Sequence, residues 1–194
     1  MKRENGLIKM IIAALLIAIA IIIPMFFPKI IVGPASFTLA SHVPVMIALF
    51  ISPLVGLAVA LGSTLGFFVA GFPLVIVMRA LSHVIFVMVG ALLLKYQPEL
   101  LHTPLRVTLF GLLLALIHGA GEVAAVVIFY LVTAGSLAGI KGGFGFGVLL
   151  LVGVGTVVHS MVDYGIALLV WRPLLHVIRF PVNARFLPVR KAAQ

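Results

Sequence analysis

"LVIVMRALSHVIFVMVGALLL", residues 74–94, reads as a helix that crosses a bilayer, yet it carries Arg79 and His83 one turn apart. A helix needs about 20 mostly apolar residues to span the hydrocarbon core. A charge at that depth costs about 2.5–3.5 kcal/mol even on insertion scales. The stretch is therefore a membrane helix whose ionisable residues face a cavity or a partner, not lipid.

The rest of the chain extends this reading. It has 194 residues, of which 64% are hydrophobic and 9% charged, with a mean hydropathy of +1.37; a soluble domain carries about 25% charged residues. The fold class expected is an all-α integral membrane protein. Six apolar stretches read as transmembrane helices, over residues 7–25, 37–51, 54–70, 74–94, 107–134 and 148–171. The first follows a basic start but exceeds the roughly 7–15 apolar residues of a signal peptide, so it reads as a retained helix. Between them lie "PKIIVGPAS" (28–36), which is apolar enough to dip into the membrane edge, the Ser52-Pro53 and Gly71-Phe72-Pro73 breaks, the polar "KYQPELLHTPLR" (95–106), and a flexible glycine-rich loop, "GSLAGIKGGFGFG" (135–147). Residues 1–172 form the membrane domain and 173–194 a basic cytoplasmic tail.

Six crossings would put Lys2, Arg3, Lys9, Lys95, Arg106, Arg172, Arg179, Arg185, Arg190 and Lys191 on one side, and only Lys29 and Lys141 on the other. Basic residues concentrate in cytoplasmic loops, so both termini are expected in the cytoplasm of a multi-pass cell-membrane protein. The same distribution accounts for the net charge of +9 without a nucleic-acid partner. The lack of cysteine excludes thiolate metal ligands and a cysteine nucleophile.

Three of the segments carry ionisable pairs spaced i, i+4, which share a helix face. They are Arg79 and His83, His118 and Glu122, and His159 and Asp163. At about 1.5 Å of rise per residue, Arg79 lies roughly 8 Å and His83 roughly 14 Å from the outer end of its helix. Together the pairs describe a polar column lined by three helices and wider toward the outside, a path or pocket for a ligand. A proton relay, or plain interhelical pairing such as Arg79 with Glu122, would use the same groups.

The sequence has no Walker-type phosphate loop, no HExxH and no GxSxG, so no enzyme activity is expected. Imidazoles and carboxylates spread over separate helices show no diagnostic metal spacing, and no metal or other cofactor is expected. Ala14 and Ala18 form an AxxxA face on an otherwise apolar first helix, and "GSTLG" (62–66) repeats the spacing. Small residues four apart admit a close helix, within the protein or from a partner.

The six-helix layout, the AxxxA face, "GPASFTLASHVPVMIALFISP" (33–53) and "LGSTLGFFVAGFP" (61–73) resemble the substrate-binding S components of energy-coupling factor (ECF) vitamin transporters. The resemblance implies a membrane receptor that captures a water-soluble vitamin or precursor at its outer face. It would dock through Ala14 and Ala18 on a transmembrane coupling subunit driven by two cytoplasmic ATPases, with lipid around the remainder. Members that carry cobalt or nickel begin Met-His, whereas this chain begins Met1-Lys2. Among vitamin members, "FTLASHVP" most resembles those assigned to niacin. The substrate-binding residues expected are Arg79, His83, His118, Glu122 and His159, with Phe37 and Phe72, and Phe67 as well, available to stack on a ring. Pantothenate, also a carboxylate, would satisfy Arg79 equally. A proton-linked carrier of a small organic anion is the other reading, although the chain lacks the internal repeat of many such carriers.

Overall fold

The computed structural model describes residues 2–32, 35–134, 136–178 and 180–186. Met1, Gly33, Pro34, Gly135, Arg179 and residues 187–194, including the basic Arg190 and Lys191, lie outside them. The described residues form six α-helices and one short hairpin, an all-helical bundle of membrane character. Four helical runs, Glu4–Phe26, Leu74–Tyr96, Pro104–Ala134 and Gly143–Val177, are long and apolar enough to cross a membrane.

Helix α1 (Lys2–Phe26) ends just before Pro28. The following stretch, expected as a loop at the membrane edge, is an antiparallel hairpin of β1 (Lys29–Val32) and β2 (Ala35–Thr38), with Lys29 opposite Thr38 and Val32 opposite Ala35. Isoleucine and valine favour the pleated conformation, and β2 tucks Ala35 and Thr38 into the body while β1 stays exposed.

The second segment departs most from expectation. Helix α2 covers only Val43–Ile51, because Phe37 and Thr38 belong to β2 and Ala40 adopts a left-handed conformation (φ 66°). Pro44 sits in its first turn and the extended Ser52 ends it. Nine residues rise about 14 Å, half the core thickness, so the helix expected over 37–51 does not cross by itself. All nine residues are buried, against Val59 of α3 (Pro53–Val69), Phe86 and Leu94 of α4 (Leu74–Tyr96), Leu114 of α5 (Pro104–Ala134) and Trp171 of α6 (Gly155–Val177).

The glycine-rich loop expected to run to residue 147 also differs. A π-helical run, Gly143–Val154, begins after the left-handed Gly142 and continues into α6, which extends past residue 172 to Val177. Beyond it the chain folds back. Phe180 and Ala184 are buried, and the amides of Asn183 and Ala184 donate to the Phe50 carbonyl at 3.2 and 2.9 Å. Trp171 Nε1 donates to the Ala184 carbonyl at 3.1 Å.

The "GSTLG" glycines serve internal packing. A Cβ on Gly62 would fall 2.4 Å from Ile17 Cδ1, and one on Gly66 2.1 Å from Ile21 Cδ1, so α1 rests on α3 through these gaps. Overfilling a packed interior costs about 1–3 kcal/mol per site. Gly62→Leu/Gly66→Leu is expected to lower the melting temperature of the detergent-solubilised chain by several degrees. An unchanged melting curve would mean that α1 is not seated there.

Candidate substrate site

A cavity of about 400 Å³ opens between the end of α1, the hairpin, the turn before α2 and the start of α4. Its volume falls in the roughly 300–1,000 Å³ range of small-molecule sites. The wall is mostly apolar, from Ala20, Pro24, Val45, Phe67, Phe72 and Ile76, with polar atoms at Lys29, Ser36, Thr38, Ser41 and Ser63. Phe67 and Phe72 lie 4.8 Å apart, ring centre to ring centre, and Lys29 reaches over the Phe72 ring at 5.9 Å.

At the inner end stand Arg79, His42, His83 and Glu122, all nearly fully buried. Arg79 Nη2 donates to Glu122 Oε2 at 2.7 Å, and Thr156 Oγ1 donates to the same oxygen at 2.5 Å. Two buried charges are tolerated here because each neutralises the other. The other carboxylate oxygen, Oε1, faces two imidazoles, with His83 Nε2 at 3.6 Å and His118 Nε2 at 3.5 Å.

Asp163 organises the far side. It is completely buried and accepts from the Ala40 amide at 2.8 Å, the His42 amide at 2.9 Å and His42 Nδ1 at 3.0 Å, with His159 Nε2 at 3.3 Å. The amides at the start of α2 lack helical partners, and the carboxylate supplies one. It thereby latches the turn carrying Ala40 and sets His42 in the middle of an imidazole cluster. The His42 ring centre lies 4.9 Å from that of His83, 4.5 Å from His118 and 5.0 Å from His159.

The sequence is 46% identical over 160 residues to the niacin transporter NiaX of Lactococcus lactis subsp. cremoris (strain MG1363), an alignment covering 82% of this chain and 71% of that one. The chain belongs to that transporter's family. It is an S component for vitamin uptake, a membrane transport protein and not an enzyme, as its resemblance in sequence implies. No family model and no solved structure matches it.

Within this S component, the residues expected at the site divide into three groups. Arg79, His83, Glu122 and Phe72 line the cavity. His118 stands behind Glu122, fully buried, with Nδ1 3.2 Å from Ser160 Oγ. Phe37 and His159 pack on each other at 5.4 Å and line a second, shallower cleft, where Gly155 leaves room for the Phe37 ring. Ala14 and Ala18 are exposed on α1, while Ala13, Leu16 and Ala20 turn inward. The residue that sequence reasoning missed is His42. It belongs to no i, i+4 pair, and its only signal was its place in "FTLASHVP", two residues before a proline in the first turn of a helix.

Proposed function

We propose that this S component binds niacin in the cavity, with Arg79 as the partner of the carboxylate and Phe72 and Phe67 against the pyridine ring. The observation that carries this is a buried arginine in the wall of a closed-ended cavity, in a chain closely similar to a niacin transporter. Arginine suits a carboxylate because its planar donors match the two oxygens. His83 and Glu122 complete the polar end, and His118 and His159 support them from behind.

The chain crosses the membrane six times, with β2, the Ala40 turn and α2 together making the second crossing. Irregular backbone at membrane depth is tolerated only where it is buried in protein or lines a cavity. That condition is met by the Asp163 hydrogen bonds and by the cavity position of Ser41 and His42. Both termini are cytoplasmic and the cavity faces outward. Residues 1–172 are the membrane domain and 173–194 the basic tail, part of which closes the inner end of the bundle.

Transport is driven through an ECF coupling subunit and two ATPase subunits, with Ala14 and Ala18 as the docking face. The purified chain alone is expected to bind niacin without transporting it. Ala14→Trp or Ala18→Trp is expected to reduce uptake in cells to background while leaving niacin binding by the purified chain unchanged. Uptake that survives both substitutions would remove the docking assignment. Pantothenate binding in place of niacin would change the cargo, and uptake into proteoliposomes by the chain alone would favour a proton-linked carrier.

A further inference from the structure

We infer that His42, His83, His118 and Glu122 form a binding site for a divalent transition-metal ion of the zinc class at the inner end of the cavity. One ligand atom from each of the four lies within 4.8 Å of the others, and all four residues are buried.

The spacing leaves room for an ion between the ligand atoms. Glu122 Oε1 stands 3.6 Å from His83 Nε2 and 3.5 Å from His118 Nε2. Hydrogen bonds between nitrogen and oxygen run about 2.7–3.2 Å. Two ligand atoms each about 2.0–2.1 Å from a common zinc ion, at the tetrahedral angle, stand roughly 3.3–3.4 Å apart. The two Glu122 separations lie near the second value, and the four ligand atoms, within 4.8 Å of one another, need only small side-chain rotations to close on an ion. In agreement, neither His83 Nε2 nor His118 Nε2 has a hydrogen-bond partner among the described residues, although both are buried. An orphaned buried imidazole nitrogen is costly, and two aimed at one carboxylate oxygen call for a shared partner.

The outer contacts are those of metal-binding histidines, which usually give their second ring N–H to a carboxylate or another acceptor. His42 Nδ1 meets Asp163 Oδ2 at 3.0 Å, and His118 Nδ1 meets Ser160 Oγ at 3.2 Å. The Asp163 carboxylate can only accept, so it holds His42 in the tautomer that leaves Nε2 with its lone pair, and the Ser160 hydroxyl is able to accept from His118 Nδ1 in the same way. Glu122 is divided in the same way. Its Oε2 is taken by Arg79 and Thr156, and its Oε1 is left for the ion. Three neutral nitrogens and one carboxylate oxygen make a borderline-soft set suited to zinc or its neighbours rather than to calcium or magnesium. Because His42, His83 and Glu122 all line the cavity, the ion would be reached from it. The site does not depend on the niacin reading, though its positive charge would suit an anionic cargo if that reading holds.

The test uses the full-length chain purified in detergent, stripped with a chelator and titrated with Co²⁺ and then Zn²⁺. A single ion per chain is expected, with the intense visible absorption of four-coordinate Co²⁺, bleached when Zn²⁺ displaces it. His83→Asn and His118→Asn should each weaken Zn²⁺ binding by at least the roughly 10–100-fold that follows loss of even an outer partner. His102→Asn, outside the cluster, should not. A six-coordinate Co²⁺ spectrum on the unsubstituted chain, or an affinity unmoved by correctly folded His83 and His118 variants, would overturn the site. Niacin is titrated into the same stripped sample. Niacin binding without metal uptake defeats the metal site alone, whereas metal uptake without niacin binding upholds it and defeats only the cargo assignment.

Discussion

Arg79→Ala is expected to weaken niacin binding by roughly 10–150-fold, the equivalent of one charge-assisted hydrogen bond of about 1.5–3 kcal/mol, and to weaken binding of nicotinamide far less. Acid and amide share the ring, so Phe67 and Phe72 contribute to both, while only the acid presents a carboxylate to the guanidinium. The comparison is a pair of Kd values on each variant, read as a ratio. A complication is structural. Arg79 donates to Glu122 at 2.7 Å, and removing one member of a buried pair strands the other at a cost of about 3–5 kcal/mol. The companion variant Arg79→Ala/Glu122→Gln removes both charges and should recover folding while still failing to prefer the acid. Equal loss for acid and amide would leave Arg79 as glue between α4 and α5.

Asp163→Ala should be the most damaging single substitution in the chain. The carboxylate holds two backbone amides and one imidazole, at Ala40 and His42, and a buried donor left unmade costs about 1–3 kcal/mol. The sum is a large part of the roughly 5–15 kcal/mol by which folded domains are stable. Ala40, left-handed without the freedom of a glycine, would lose what holds it there. The turn would relax, His42 would leave the cavity, and ligand binding should disappear with it. Asp163→Asn can face its one oxygen to Ala40 or to His42 but not to both. Melting temperatures in detergent should therefore fall in the order parent, Asn, Ala. Parent-like niacin binding by Asp163→Ala would show that the turn is held by something else.

Hydropathy located the long helices well because a lipid-facing helix has to be apolar along its whole length; residues 74–94 became Leu74–Tyr96. The i, i+4 spacing likewise found Arg79, His83, His118 and Glu122, which the fold brings together at one point. It could not distinguish a cavity wall from a second layer, so His118 falls behind Glu122, and His159 faces another cleft with Phe37. Residues 37–51 misled because strand, turn and buried helix are equally apolar. What divides them is a left-handed alanine and an aspartate more than a hundred residues away in sequence. His42 was hidden for the same reason, since its role comes from Asp163 and not from its own neighbours. The glycines of 142–147 signal freedom in sequence, whereas Val148 and Val152 bury against Val126 and Ala35 and draw that stretch into the helix.

The return of the chain after α6 bears on how the protein is made. The carbonyl of Phe50, at the C-terminal end of α2, receives the amides of Asn183 and Ala184. Those donors leave the ribosome only after all six helices have been synthesised. Until then the most buried helix of the molecule has an unfinished end. Membrane insertion can proceed helix by helix, but this end of the bundle is sealed late, by a short segment that no single span contains.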